Sequence, residues 1–428
     1  MLDLKSLKLK IEGQFDDCFL HGDYLFLVDR KNLYQIDFTK LIRNLAPTSP
    51  DKKLLYEFAF CRNDLFFQGQ TFANTLLSLS FVKDNLKRIY GKISELTLSW
   101  NDVSKFLSHP AVPHESPGIL HLEIYKGKVF FSSDEGVFNF KYKNKRSTSR
   151  KQLLCNDRAL HIGANTGNDL IISGGHSGTK RIHIDNFTAS VLITSIDTID
   201  DAPCLESEMV YQDFVSRDLD NRLSYFINDD WKPSRSASRS GRQQRISQQK
   251  KDSFRKVNVL TEENSTLFTS EDSYYMAVNS RIVDLKSNKV KIYKLNWKNR
   301  EEFAERKKLK KKRDFSNIVL FEKPKEFSLI GDNINGQIFK VYQTSFGLIV
   351  ETDKGLYCVD DTNSPQHQEL TSNVISKDET LKVRHFYRSQ RYSHILAIIK
   401  ENHLEIQADL SDYFMNPKLK NIRLRKPV

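Results

Sequence analysis

The chain has 428 residues, 39% hydrophobic and 28% charged, enough apolar material for a packed core beneath a solvated surface. Its 66 Lys and Arg against 54 Asp and Glu leave a formal charge of +12, which points toward acidic partners, nucleic acid foremost. No apolar run reaches the roughly 18 residues needed to cross a bilayer, and Met1 to Lys10 alternates apolar and charged residues where a secretory signal needs an unbroken apolar stretch; membrane insertion and secretion are not expected, and a cytoplasmic or nuclear setting is.

With 28 Phe and 16 Tyr against 4 Met, the composition leans toward strands. Tyr24–Asp37 opens the series of predicted hairpins: an apolar run, a polar turn, then a run with large apolar residues on alternate positions. Degenerate candidates lie at Leu65–Gly69 and Leu77–Tyr90. Asp102–Ser108 reads as one short helix, capped by Asn101 or Asp102 and stopped by Pro110. Val129–Phe140 is the second clear hairpin, Leu170–Ile184 a weaker one, and Leu223–Trp231 a degenerate one. Tyr274–Leu285, Leu348–Asp360 and His394–Ile406 complete the series, and the Tyr24, Val129 and Leu348 copies align almost without gaps.

The turns recur at roughly 40 to 60 residues, close to the period of propeller blades carrying insertions, and about seven blades fit. A blade cannot bury both faces alone, so stacking supplies the missing core. The phrase "apolar strand, Asp-x-Gly, apolar strand" resembles the inner strands of WD40-like propellers, although the Gly-His and Trp-Asp dipeptides of true WD40 repeats are not in register here. The resemblance implies one degenerate all-β propeller over residues 1–428, acting as a scaffold for protein partners; two packed β-sandwich-like domains are the alternative architecture.

Charge is localised. Residues 232–256 carry nine Lys or Arg against the single Asp252 and almost no core-forming residues, which predicts a disordered basic insertion. Residues 299–315 form a second basic insertion with helix-forming composition, and 413–428 a basic tail; smaller clusters are Lys143 to Arg146, Arg150 with Lys151, and Lys418 to Lys426. Such runs neutralise phosphates strongly but without reading sequence. The candidate nucleic-acid-binding residues are Arg235, Arg239, Arg242, Arg245, Lys250, Lys251, Arg255 and Lys256, with Arg306, Lys307, Lys308, Lys310, Lys311, Lys312 and Arg313. The competing readings are solvated loops, a nuclear import address or contact with an acidic protein.

Catalytic patterns are not found. Ile172–Lys180 is Gly-rich, but Gly178-Thr179-Lys180 inverts the last pair of a phosphate loop, so a tight turn between strands is expected. His161, His176 and His183 have no ligand spacing, and there is neither a Gly-x-Ser-x-Gly elbow nor a His-Glu-x-x-His helix. Paired carboxylates at Asp16-Asp17, Asp200-Asp201, Asp229-Asp230 and Asp360-Asp361 read as turn residues. Cys18, Cys61, Cys155, Cys204 and Cys358 are isolated and odd in number, hence expected to be reduced and mostly buried. The sequence therefore predicts a non-enzymatic scaffold subunit with no cofactor and no metal, whose partners are other proteins and, through the basic loops, RNA or DNA. A protein-only module, a degenerate propeller hydrolase and a propeller meeting anionic lipid are the alternatives.

Overall fold

The computed structural model describes residues 7–45, 55–57, 59–61, 79–81, 84, 88, 95–113, 118–125, 128–140, 151–164, 169–186, 192–210, 212–228, 254–263, 266–268, 273–278, 280–308, 317–344, 347–360, 369–376, 380–386, 392 and 394–408.

The chain is an all-β protein, a seven-bladed β-propeller. β1 (Leu7–Glu12) is set aside for the last blade. Blade 1 is built from β2 (Asp17–His21), β3 (Tyr24–Val28) and β4 (Asn32–Asp37), after which α1 (Phe38–Asn44) begins on an Asp37 N-cap. β5 (Glu95–Leu98) pairs in parallel with β1. Then α2 (Trp100–Ser104) leads to β6 (Val112–Pro113), which pairs with β4. Blade 2 holds β7 (His121–Tyr125), β8 (Lys128–Ser133), β9 (Gly136–Phe140) and β10 (Lys151–Cys155); blade 3 holds β11 (His161–Ala164), β12 (Asp169–Ser173), β13 (Thr179–Asn186) and β14 (Leu192–Asp200).

Blade 4 orders β15 (Glu206–Val210), β16 (Asp213–Arg217), β17 (Leu223–Asn228) and β18 (Phe254–Thr261), and adds a fifth strand, β22 (Asn317–Phe321), parallel to β18. An eight-stranded sheet supplies two blades. The first is β19 (Tyr274–Val278), β20 (Arg281–Lys286), β21 (Lys289–Lys294) and β23 (Lys325–Gly331); the second is β24 (Ile338–Gln343), β25 (Leu348–Thr352), β26 (Gly355–Asp360) and β27 (Glu369–Ser376). α3 (Trp297–Lys308) lies between β21 and β22 in the chain. Blade 7 combines β28 (Lys382–His385), β29 (Ile395–Ile399) and β30 (His403–Ala408) with β1, whose Leu7, Leu9 and Ile11 face Ala408, Ile406 and Leu404. Both chain ends thus contribute to one sheet.

By compactness the chain divides into two units: Met1–Asp134, Phe140–Lys151 and Leu329–Val428; and Glu135–Asn139 with Gln152–Ser328. In the first, Leu7, Leu9, Ile11, Leu25, Leu27 and Ile36 pack with Phe38, Leu41 and Ile42 of α1 and with the C-terminal Ile395, Leu404 and Ile406. In the second, Val215, Tyr225, Ile227, Val257 and Val259 pack with Leu295, Phe303 and Leu320. Each fully buried side chain of this size contributes roughly 1.5–3 kcal/mol.

The three clear and three weaker hairpins are present, as β3–β4, β8–β9, β12–β13, β19–β20, β25–β26 and β29–β30, whereas Leu223–Asn228 of the degenerate candidate at Leu223–Trp231 is the single strand β17, paired with β16 and β18. The repeated Asp-x-Gly has a backbone cause. Gly136 and Gly355 follow the turn at φ of 136° and 138°, values that L side chains rarely adopt, and a Cβ on Gly136 would stand 2.2 Å from the Cys155 carbonyl oxygen. The Gly-rich 172–180 stretch is a hairpin turn as expected, with Gly175 and Gly178 at positive φ. All five cysteines are buried, and none is in a disulfide.

Three further expectations are corrected. Ser80, Phe81, Asp84 and Arg88, inside the degenerate hairpin candidate at Leu77–Tyr90, are helical, while Leu65–Gly69 lies outside the described residues. α2 begins two residues earlier than expected, at Trp100, on a Ser99 cap whose oxygen accepts from the Asp102 amide at 3.3 Å and whose hydroxyl donates to the Asp102 carboxylate at 2.7 Å. This is a Ser-x-x-acid cap, and the helix ends at Ser104, well before Pro110. Finally, 254–256 belong to β18 and not to a disordered insertion: Phe254 pairs with Asn228 and Lys256 with Phe226.

Candidate nucleic-acid interface

The described residues that flank the predicted basic segments lie in blade 4 and in α3. α3 starts on an Asn296 cap, whose side-chain oxygen accepts from the Asn299 amide at 3.1 Å. The buried Arg300 and Phe303 follow half-buried Trp297 at three-residue steps and so share one helix face, while Lys298 and Glu301 on the other side are exposed. Arg300 forks onto Asp213 at 2.9 Å through Nε and 2.7 Å through Nη2, and Nη2 also donates to the Asn228 carbonyl at 2.8 Å. Asp213 accepts in addition from the Asn228 amide at 2.8 Å and from the Tyr225 hydroxyl at 3.1 Å. Burial, then the charge of Asp213, drives the Tyr225 phenol well above its usual pKa, so it stays a donor.

Asn228 is the last residue of β17, directly before the long basic stretch, and Arg255 stands just after that stretch with its guanidinium over the Phe303 ring, 5.6 Å from the centroid. Phe303 is also approached by Arg300 at 5.8 Å. β18 and β22 run parallel with Asn258 opposite Asn317. β18, which begins at Phe254, and β22, which begins at Asn317, are thus neighbouring strands that point the same way.

The predicted site residues divide accordingly. Arg255 and Lys256 lie in β18; Lys256 is exposed, with Nζ 3.4 Å from Asp200 and 5.9 Å from the Phe226 ring centroid. Arg306, Lys307 and Lys308 form the last turn of α3. Arg235, Arg239, Arg242, Arg245, Lys250 and Lys251, and Lys310, Lys311, Lys312 and Arg313, lie outside the described residues, as do the tail 413–428 and Lys143 to Arg146. Residues 232–256 and 306–313 together carry a formal +15 against +12 for the chain, which leaves everything else at −3.

Sequence reasoning missed the ionic networks that fix this frame. Arg300 read as part of a basic run, and only its three-residue spacing from Trp297 and Phe303 marked it as buried. Asp17 read as a turn residue. It is fully buried, and in the first unit it accepts from Lys382 Nζ at 3.0 Å, from Arg384 through Nε at 2.6 Å and through Nη2, and from the Leu122 amide at 3.1 Å. Arg384 also donates to His121 Nε2 at 2.9 Å. One carboxylate thereby joins the first strands of blades 7, 1 and 2. Burial alone would raise the Asp17 pKa, but Arg384 and Lys382 outweigh it and hold it below the usual value. In the second unit Arg217 bonds Glu206 at 2.8 Å and the Tyr275 carbonyl, and lies over the Tyr274 ring at 4.1 Å. Of the three histidines considered for metal binding, His183 contacts Asp169, its cross-strand neighbour.

No known family's sequence pattern matches the chain, and no curated protein matches it. Similar solved structures include the extracellular domain of BT4673 from B. thetaiotaomicron, at 9% identity over 93% of this chain and 40% of that one, with a TM-score of 0.45. PorZ, a surface component of the type-IX secretion system of Porphyromonas gingivalis, is similar at 8% identity over 92% of this chain and 38% of that one, with a TM-score of 0.40. The N-terminal domain of Nup159 is similar at 9% identity over 93% of this chain and 90% of that one, with a TM-score of 0.39. The chain spans about 40% of the length of the first of these.

Proposed function

We propose that this propeller is a non-enzymatic scaffold subunit of an intracellular macromolecular assembly, and that its basic segments contact the phosphates of RNA or DNA in that assembly. The observation that carries the reading is charge segregation on a rigid base: the two basic stretches hold more positive charge than the whole chain's net, and the described residues that flank them lie in blade 4 and in α3, which Arg300 joins. A scattered excess of lysine would only solubilise; a concentrated one on a fixed frame raises the local field and steers a polyanion to one place. Loops on a rigid scaffold are where binding function concentrates. Five buried cysteines without a disulfide among them support a reducing, intracellular setting.

The test is purification of the full chain from its native cells at low salt, with and without nuclease. Partners lost on nuclease treatment, and lost equally when 232–253 and 309–313 are deleted, support the reading. A nuclease-resistant set of proteins that ignores both deletions would make the molecule a protein-only scaffold.

A further inference from the structure

We infer that the outer edge of blade 3, strand β14, is a docking edge for an extended segment of a partner protein, which adds to it as a parallel fifth strand; this goes beyond the nucleic-acid reading and does not depend on it. The chain itself uses the mode twice. β5 lies in the connection between the third and fourth strands of blade 1, yet pairs in parallel with β1, the outer strand of blade 7. β22 lies between the third and fourth strands of blade 5, yet pairs in parallel with β18 of blade 4. Each added strand satisfies outward N–H and C=O groups that would otherwise stand as an open template. Both are short and largely apolar, Glu95-Leu-Thr-Leu98 and Asn317-Ile-Val-Leu-Phe321.

Blade 3 has the template, and among the described residues no strand pairs with its outer edge. β14 spans nine residues, the longest of the described strands, against five for β10 and two for β6 at the edges of blades 2 and 1. By the rule of β5 and β22, the connection to cover it would join the third and fourth strands of blade 4. That connection, 229–253, has only Trp231 and Ile246 as large apolar residues and so no alternating apolar run to offer. β14 itself suits an added strand. Ser195 to Thr198 pairs without a break with His183 to Lys180, and the irregular pairings lie to either side. Ile199 packs with Ile171, Met209, Phe214 and Phe226, and Asp197 accepts from Arg181 at 3.0 Å, which anchors one face. On the other face Ile196 is 44% exposed and Thr198 is exposed, both residue types that favour cross-strand packing. Lysine and proline, which guard natural edges, do not occur in Leu192–Asp200.

Charge narrows the occupant. Residues 192–201 contain three Asp and no cation; Arg181 meets Asp197, Lys256 meets Asp200 at 3.4 Å, and Asp201 is exposed one residue past the strand. In a parallel pair the C-terminal end of the added strand lies beside that carboxylate. The partner segment is therefore a run of alternating apolar and β-branched residues followed by Lys or Arg, with the same kind of cross-strand ion pair that Lys10 makes with Glu95 at 2.8 Å.

The test uses the full chain and a fluorescent peptide of alternating Val and Thr ending in two lysines, with two versions N-methylated on alternate amides of one edge or of the other. An added strand pairs through one of its edges only, so the peptide is expected to bind saturably, one methylated version about tenfold or more weakly, and the other unchanged. Hydrogen exchange is expected to slow within 192–200 and in no other strand when peptide is added. Ile196→Lys with Thr198→Lys, both at exposed positions, is expected to keep the thermal midpoint and lose the binding. No binding, equal loss with both methylated versions, or protection in another strand overturns the proposal. Protection of 192–200 that is present without peptide and lost on deletion of 232–253 gives the edge to the chain's own segment, and protection that grows with protein concentration gives it to a second copy; either result also overturns it.

Discussion

Arg300 and Asp213 form a bidentate ion pair with both side chains buried, 1% and 0% exposed, and the same arginine holds the Asn228 carbonyl. A buried pair of this kind is weakly stabilising relative to apolar residues of equal volume, but removing one partner strands a charge and costs about 3–5 kcal/mol. Arg300→Met is therefore expected to lower stability by about that amount, and Arg300→Met with Asp213→Leu by much less. Equilibrium urea denaturation reads both. Equal losses in the single and double variants would mean that the pair is not the element fixing α3.

Asp17 makes acid stability testable. Burial opposes its ionisation, Arg384 and Lys382 overcome that opposition, and the folded pKa lies below the ordinary 3.8. A depressed folded pKa gives stability that is present above the unfolded value and lost as pH falls through the folded one. The parent chain is expected to lose stability more steeply than Asp17→Asn below pH 3.8, although the variant starts lower because it leaves Lys382 and Arg384 without their counter-charge. Denaturation midpoints measured as a function of pH decide this; parallel curves would show that Asp17 is protonated with an ordinary pKa.

Thiol reactivity follows from burial. Burial, then the neighbouring Asp17, pushes Cys18 up to about 12; burial, then Glu57, does the same to Cys61; burial and a hydrogen bond to Asp157 take Cys155 to about 11. Since the thiolate is the reactive form, native protein at neutral pH is expected to react slowly with a disulfide reagent, Cys155 ahead of Cys18, and all five thiols promptly once unfolded. Mapping the labelled cysteines by mass spectrometry over time checks the order, and fast labelling of Cys18 in the native state would contradict its placement.

The sequence made the hairpins legible because a two-residue period and an Asp-x-Gly turn are local, and Gly136 and Gly355 share one backbone geometry. It hid what depends on contacts distant in the chain. Asp17 carries the same local signal as any turn aspartate, and the partners that bury it lie 365 and 367 residues away. Lys256 and Arg255 read as the end of a polar stretch, because a strand start that alternates Arg, Lys and Val shows its pairing only against Asn228 and Phe226. The basic helix was visible in composition, but the rule that a basic run is solvated concealed Arg300, whose guanidinium is buried against Asp213. The β1–β30 pairing was likewise beyond reach, since nothing local in Leu7–Glu12 names a partner at the other end of the chain.

That pairing yields the last prediction. Leu7, Leu9 and Ile11 are fully buried against the strand Leu404–Ala408, and Lys8 reaches across to Glu405 at 2.9 Å. Leu9→Ala removes a core side chain and is expected to cost about 2–5 kcal/mol. Removing residues 1–12 does more: it strips β30 of its neighbour, leaves β5 without the strand it pairs with, and exposes an unpaired edge of alternating Leu404 and Ile406 that favours association between chains. The truncated chain is expected to melt lower and to oligomerise, and a synthetic peptide spanning β1 is expected to restore the midpoint in a concentration-dependent way, because it binds only the folded form. Light scattering and thermal denaturation with and without the peptide measure both effects. A truncated chain that stays monomeric with an unchanged midpoint would show that the last blade closes without its N-terminal strand.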